Sequence, residues 1–218
     1  MLRRSGIVMA VLFLLTCIGW AQDNTYEISL GGSAVVSKQS TGNGTTLTPT
    51  NSGAVLITGR YRFSDHNSVE INYSHTSNSQ IYFASPLTYR IQGTIAEYSG
   101  AYVYSFHESK KAEPFVFAGA AALIFYPSYD LNYINGVQTT IPVSQQTKPA
   151  FLYGGGFDWK IFSSLPLIHR SPTLSNHVAL RLQYRGLVYK APDFKIQNLF
   201  TGARGHMAEP SVGIVVKF

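Results

Sequence analysis

Charge is what this sequence has least of. Asp, Glu, Lys and Arg make up only 13% of its 218 residues, about half the share usual in soluble domains. A disordered chain or a coiled coil would need far more charge. Cysteine is scarcer still, and the single Cys17 excludes a disulfide scaffold. The six histidines (66, 75, 107, 169, 177 and 206) are scattered without metal-ligand spacing, so no metal and no cofactor is expected. Long apolar runs are missing too. Beyond residue 21 the longest is Phe115–Tyr126, 12 residues fenced by Pro114 and Pro127, well short of the roughly 20 that a membrane-spanning helix needs. What is plentiful is aromatic: 14 Tyr, 13 Phe and 2 Trp.

The start of the chain reads as an export signal. Arg3 and Arg4 precede an apolar stretch, Ile7 to Ile18, and Gly19-Trp20-Ala21 places small residues at the −3 and −1 positions of a cut before Gln22. A transmembrane anchor would need a longer stretch. Cys17 raises lipidation as a rival, but the residue before it is Thr16, where the acylation motif has Gly, Ala or Ser. The expected mature chain is 22–218. Losing Arg3 and Arg4 lowers the formal charge from +6 to +4, too mild a balance to predict nucleic-acid binding.

Beyond the signal, the recurring pattern has a period of two, the mark of strands with unlike faces. Val69, Ile71 and Tyr73 alternate with Glu70, Asn72 and Ser74. Tyr98, Tyr102, Tyr104 and Phe106 alternate with Glu97, Ser99, Ala101 and Ser105, and Phe151, Tyr153, Phe157 and Trp159 with Gly154, Gly156, Asp158 and Lys160. Val178, Leu180, Leu182 and Tyr184 alternate with Arg181, Gln183 and Arg185. Eight such runs are expected, at 26–36, 52–63, 68–77, 91–106, 114–126, 149–162, 177–189 and 205–218. The connections 37–51, 78–90, 127–148 and 190–204 are long and polar; 64–67 and 107–113 are short, with 163–176 longer than that pattern wants.

Long loops at one end and short turns at the other predict an all-β fold: an eight-stranded antiparallel up-and-down transmembrane β-barrel. A soluble barrel would share the periodicity but put its apolar face inside. Here one face carries potential ion pairs and the other bulky aromatics. Tyr61, Phe63, Tyr73, Tyr104, Phe106, Tyr153, Trp159, Phe162 and Tyr184 suit girdles at the two membrane borders.

The chain ends Ser211-Val212-Gly213-Ile214-Val215-Val216-Lys217-Phe218. Ser211, Gly213, Val216 and Phe218 match in order the C-terminal assembly signal that such barrels resemble one another in. A strand of this kind can pair edge-on with an assembly machine and then close against strand one. With Lys148-Pro149-Ala150-Phe151, Gly154-Gly155-Gly156, Tyr184-Arg185-Gly186-Leu187 and Ala208-Glu209-Pro210, the chain resembles the small OmpA/OmpX-type single-domain outer-membrane barrels over 22–218. The resemblance implies bacterial outer-membrane localisation and a chain without the peptidoglycan-binding domain of the larger OmpA proteins. It also implies partners: outer-membrane lipid and lipopolysaccharide, periplasmic chaperones and the barrel assembly machinery.

Eight strands enclose little more than their own side chains, so an open pore is not expected. Continuing the alternation inward gives Glu70, Glu97, Asp158 and Glu209 against Lys160, Arg181, Arg185 and Lys217. Four against four is a self-neutralising polar filling. Arg181 and Arg185 are expected at its centre, because a guanidinium binds two carboxylates at once. Structural filling is the favoured reading, and a narrow ion path the alternative.

One constellation suggests an enzyme. His75-Thr76-Ser77-Asn78 resembles the His-x-Ser-Asn of outer-membrane lipid A deacylases, with His75 and Ser77 on one lipid-facing side. Those enzymes place an acid shortly afterwards, whereas residues 78–96 hold no Asp or Glu and Glu97 points inward. The expectation is therefore no enzyme, with the esterase kept as an alternative. Gly154-Gly155-Gly156 reads as tight packing on a strand, and Lys110 and Lys111 as a solvated turn. The loop 127–148 carries Tyr129, Asn132, Tyr133 and Asn135 next to Tyr126, which suits contacts with an outside surface or a loop folded over its own barrel.

Overall fold

A computed structural model describes residues 25–106, 112–160 and 177–218. The predicted signal (1–21), the Lys110-Lys111 turn, Phe162 and the connection 163–176 lie outside the described residues. Eight long strands follow one another: β1 (Tyr26–Ser37), β2 (Ser52–Arg62), β3 (Asn67–Ala84), β4 (Leu87–Ser105), β5 (Ala112–Pro127), β6 (Gln146–Trp159), β7 (Val178–Lys190) and β8 (Arg204–Lys217). Each pairs antiparallel with the next. β8 pairs with β1 from Glu27↔Lys217 to Ser37↔Met207, which closes the ring. Closure leaves none of these eight as a free edge, the condition for strands to sit in lipid.

The alternation resolves into two unlike surfaces. Ile28, Leu30, Ile57, Ile71, Phe151 and Ile214 are exposed on the outside, while Glu27, Arg60, Glu70 and Arg185 are buried inside. A water-soluble barrel would show the inverse. At the short-turn end Tyr26 packs on Tyr61 (5.2 Å between ring centres) and Tyr104 on Phe106 (5.3 Å). With exposed Phe63 and Trp159 they form an aromatic collar at that border. Tyr73 sits partway up the wall against Tyr98, at 5.1 Å.

The outer end departs from the expected loops. β3 and β4 run for 18 and 19 residues, so 78–90 is not an open connection. Pairing continues from Asn78↔Gly93 to Ala84↔Leu87, and the chain turns only at Ser85-Pro86. The extension persists because both of its edges are covered. Thr45–Pro49 adds to β3 and Tyr133–Ile134 to β4. Each is one arm of a small hairpin, turned at Asn43-Gly44 (φ 50° and 74°) and Asn135-Gly136 (φ 49° and 82°). Two consecutive positive φ values are what a type I′ turn needs, and Asn-Gly supplies them at least cost.

Candidate functional site

The bore is the part of the molecule where titratable groups converge, and it is built in three layers. The lowest, nearest the short turns, is an ionic network of four acids and four bases. Arg181 holds Asp158 with two bonds (Nε to Oδ1 2.7 Å, Nη2 to Oδ2 2.8 Å) and donates a third to Glu27 (2.7 Å). Arg60 donates to Glu70 through Nε and Nη2, at 3.1 and 2.8 Å. Lys217 donates to Glu113 (2.6 Å) and lies 3.3 Å from Asp158. Arg62 bridges Glu27 (2.8 Å) and Glu113. Buried charges persist only when paired and hydrogen-bonded, and two-pronged guanidinium contacts do both. The Arg60 and Arg181 guanidinium carbons also lie 4.3 and 5.1 Å from the Phe115 ring centre, within cation–π range.

Two inward positions higher on β7, past Gln183, Arg185 stands between two carboxylates. Its Nη1 donates to Glu209 at 2.6 Å and its Nη2 to Glu97, with 0% of its side chain exposed. Arg185 and Glu209 are register partners on the adjacent β7 and β8, and Glu97 comes from β4, so the triad ties that pair of strands to the far side of the ring.

Above Arg185 the filling changes character. Leu123, Leu152, Leu187, Tyr189 and Met207 point inward and are buried. They are capped by residues the loops contribute: Leu47, Ile141, Val143, Phe194 and Leu199. Phe194 meets Tyr82 and Phe125 edge-on at 6.3 and 6.4 Å. Its loop is clamped: the Tyr82 hydroxyl donates to the Pro192 carbonyl (2.7 Å), and Gln146 Oε1 accepts the N–H groups of Asp193 and Phe194, both at 3.1 Å. The polar groups expected inside are therefore only part of the filling, and Thr76, Asn78 and Gln80 are the buried polar residues that continue it upward on β3. The interior is ionic near the short turns and apolar towards the loops, because the loop residues bring their own hydrophobic layer.

Seven of the eight residues expected inside, Glu70, Glu97, Asp158, Arg181, Arg185, Glu209 and Lys217, are buried in these networks. Lys160 differs: it follows the last residue of β6 and is half-buried. Four members were not foreseen: Glu27, Arg60, Arg62 and Glu113. The signal for three of them is in the pattern, since Glu27 alternates with Tyr26 and Ile28, and Arg60 and Arg62 with Tyr61 and Phe63. Glu113 belongs to β5, which starts at Ala112, two residues before the expected run.

His75 and Ser77 both lie on the exposed outer face of β3. No side-chain hydrogen bond joins them, and the acids that flank them in sequence are engaged inside the bore, Glu70 with Arg60 and Glu97 with Arg185. The loop asparagines serve the fold itself. Asn132 is buried, donating to the Ser128 carbonyl (2.6 Å) and accepting from Gln92 N–H (3.2 Å), and Asn135 accepts from Thr88 N–H (2.8 Å). Tyr129 and Val137 remain 67% exposed. In the last strand, Gly213 faces Gly31 so closely that a Cβ on Gly31 would lie 2.8 Å from the Gly213 Cα. Phe218 is buried, its N–H donating to the Tyr26 carbonyl at 2.7 Å, and Ser211 and Val216 sit within the β1–β8 seam.

No protein-family model matches the chain, and no curated protein matches it in sequence. Among solved structures it is similar to Neisserial surface protein A, NspA, with 15% identity over 90% of this chain and 98% of that one and a TM-score of 0.51. It is also similar to the outer membrane protein OprG from Pseudomonas aeruginosa, at 12% identity, 88% and 95% coverage and a TM-score of 0.56. At such identities the likeness is one of fold. The closed eight-stranded ring, its apolar exterior and these neighbours together give the chain the fold of the small OmpA/OmpX-like outer-membrane barrels.

Proposed function

We propose that this chain is an integral protein of the bacterial outer membrane whose bore is closed and whose loop-bearing end is its working surface. The single observation that carries the reading is the two-layered stopper. The Arg185 triad spans the bore, and the buried Phe194 and Leu199 lie above it in an apolar layer. A hydrated ion would have to cross both, losing its water in the second without compensating ligands. This favours a structural or surface-contact role over a narrow ion path. Tyr129, Leu131 and Val137, exposed beyond β5, are the apolar contacts such a surface would offer.

In planar bilayers the purified protein should give no stable openings, and steady nanosiemens-scale steps would overturn the closed-bore reading. Heat-modifiable gel migration with recovery in the outer-membrane fraction tests the location, and recovery in the soluble periplasm would overturn it. Ser211, Gly213, Val216 and Phe218 are proposed to be read by the assembly machinery, so Phe218→Ala should leave more protein unassembled in the periplasm. The deacylase reading gains no support from the fold: among the described residues no acid is bonded to His75.

A further inference from the structure

The outer end holds a cavity of about 530 Å³ built by three separate segments. The Asn43-Gly44 turn forms one wall, the β3–β4 tip at 84–87 a second, and the last loop at 197–200 a third. That volume lies within the range of small-molecule sites, about 300–1,000 Å³, and barrel mouths are among their usual places. Ala84 stands at the far end of the 18-residue β3, which starts at Asn67. At about 3.3 Å per residue and a tilt of about 40°, its height is roughly 40 Å, clear of an apolar band about 25 Å tall. The cavity therefore opens to water and not to lipid.

Its walls are held before anything binds. Thr45 is buried, and its Oγ1 donates to the Asn198 carbonyl at 3.1 Å. Gly42 packs so closely on the Thr201 carbonyl that no Cβ fits between them. Leu199, fully buried in the apolar layer, pins a single 3-10 turn (Gln197–Leu199) and leaves Gln197 and Asn198 exposed. Gly202, at φ 66°, lets two side chains come close: a Cβ there would lie 3.0 Å from Asn43 Nδ2 and 3.5 Å from the Phe200 ring.

The lining is uncharged. Among the described residues no Asp, Glu, Lys, Arg or His reaches it. The carboxamides of Asn43, Gln197 and Asn198 make no hydrogen bond within the described residues, whereas those of Asn132, Asn135 and Gln146 serve the fold. Beside them Phe200 is 49% exposed. A carboxamide both donates and accepts, as a sugar hydroxyl does, and an exposed ring offers a flat partner to the apolar C–H face of a pyranose. A charged ligand would lose its water there without a counter-charge, and a wholly apolar one would strand the amides.

We propose that this cavity binds a neutral saccharide, a hexose unit of a surface glycan, stacked on Phe200 and hydrogen-bonded by Asn43, Gln197 and Asn198. This rests on the reading of the loop-bearing end as the working surface, and gives that surface a ligand class.

The test follows saturation transfer by NMR from the folded full chain, in phosphatidylcholine nanodiscs, to soluble disaccharides of glucose, galactose, mannose and N-acetylglucosamine. At least one should receive saturation, and its affinity should not change between low and high salt, because neither partner carries charge there. Phe200→Ala should weaken that binding about tenfold, and Gln197→Ala and Asn198→Ala each about fivefold. Tyr129→Ala, on another loop, should leave it unchanged. The proposal fails if no disaccharide is saturated, if binding survives Phe200→Ala, if Tyr129→Ala costs as much, or if a sulfated disaccharide binds more tightly than its neutral form. Heat-modifiable migration separates the failures. A wild type that never gives the folded band refutes the membrane reading itself, and a folded wild type that binds no sugar refutes the saccharide site alone. If Phe200→Ala misfolds, the two amide variants, whose side chains bond nothing in the fold, carry the fivefold expectation.

Discussion

Below Leu187 the bore is dominated by ion-paired side chains packed around Phe115, and above it by Leu, Phe, Tyr and Met, although the same eight strands line both parts with the same alternation. The lower part is made of strand residues alone: Asp158–Arg181, Arg60–Glu70 and Arg185–Glu209 are opposite neighbours on paired strands, and Lys217–Glu113 and Arg185–Glu97 reach across the bore. The upper part is completed from outside the strands, by Phe194 and Leu199 from the last loop and Leu47 from the first. The difference lies in what each filling demands. Ion pairs need partners at fixed angles and distances, so they specify which strand residue stands at which height. An apolar layer needs only volume, so a loop can supply it as well as a strand.

The sharpest way to break this contrast is at Arg185. Arg185→Met leaves Glu97 and Glu209 buried without a counter-charge and should cost about 3–5 kcal/mol. The measurement is urea unfolding in lipid vesicles, followed by loss of the heat-modifiable band. Replacing Glu97 and Glu209 by Leu in the same protein should return most of that loss, because apolar groups of similar size do not need the charge. A variant that stays as weak as the single change would mean that the triad supplies stability rather than register.

Leu187→Ala, two residues along the same strand, tests the upper part. It removes a fully buried side chain from the apolar layer and should cost about 3 kcal/mol, the usual loss when a core leucine leaves a cavity. Gln146→Ala should follow, at about 1–3 kcal/mol, since it takes the acceptor from two backbone N–H groups of the capping loop. Its distinguishing readout is local: hydrogen exchange at Asp193 and Phe194 should quicken while the amides around Arg181 stay protected.

How much of this could be read beforehand follows the same division. The outward faces and the inward Glu70, Glu97, Arg181 and Arg185 were legible, because lipid on one side and ion pairs on the other make the alternation stark. Glu113 was missed for lying at a strand start, ahead of the run that marks its phase, whereas Glu27, Arg60 and Arg62 carry the alternation and were legible in it. The apolar layer was illegible for a physical reason. In Phe115–Tyr126 both faces are apolar, Phe117, Leu123 and Phe125 to the bore and Val116 and Tyr126 to the outside, so no contrast marks the inner one. Phe194 and Leu199 carry no periodicity at all; only the contact of the last loop with strands some 70 to 110 residues earlier in the chain buries them.

The smallest effect belongs to Arg62, and it tests whether the lower network is uniform. Arg62 joins Glu27 and Glu113 as Arg181 joins Glu27 and Asp158, yet its side chain is 18% exposed against 2% for Arg181. Water reaching the short-turn end weakens each of its ion pairs, and Glu27 and Glu113 keep Lys217 at 3.6 and 2.6 Å when Arg62 is gone. Arg62→Gln should therefore cost only about 1 kcal/mol, in the range of partly exposed pairs, and less again in high salt. Arg181→Gln, with Asp158 and Glu27 left deep in the bore, should cost several times more and barely respond to salt. Equal losses from the two changes would mean that exposure does not grade the network, and that the short-turn end of the bore is as dry as its middle.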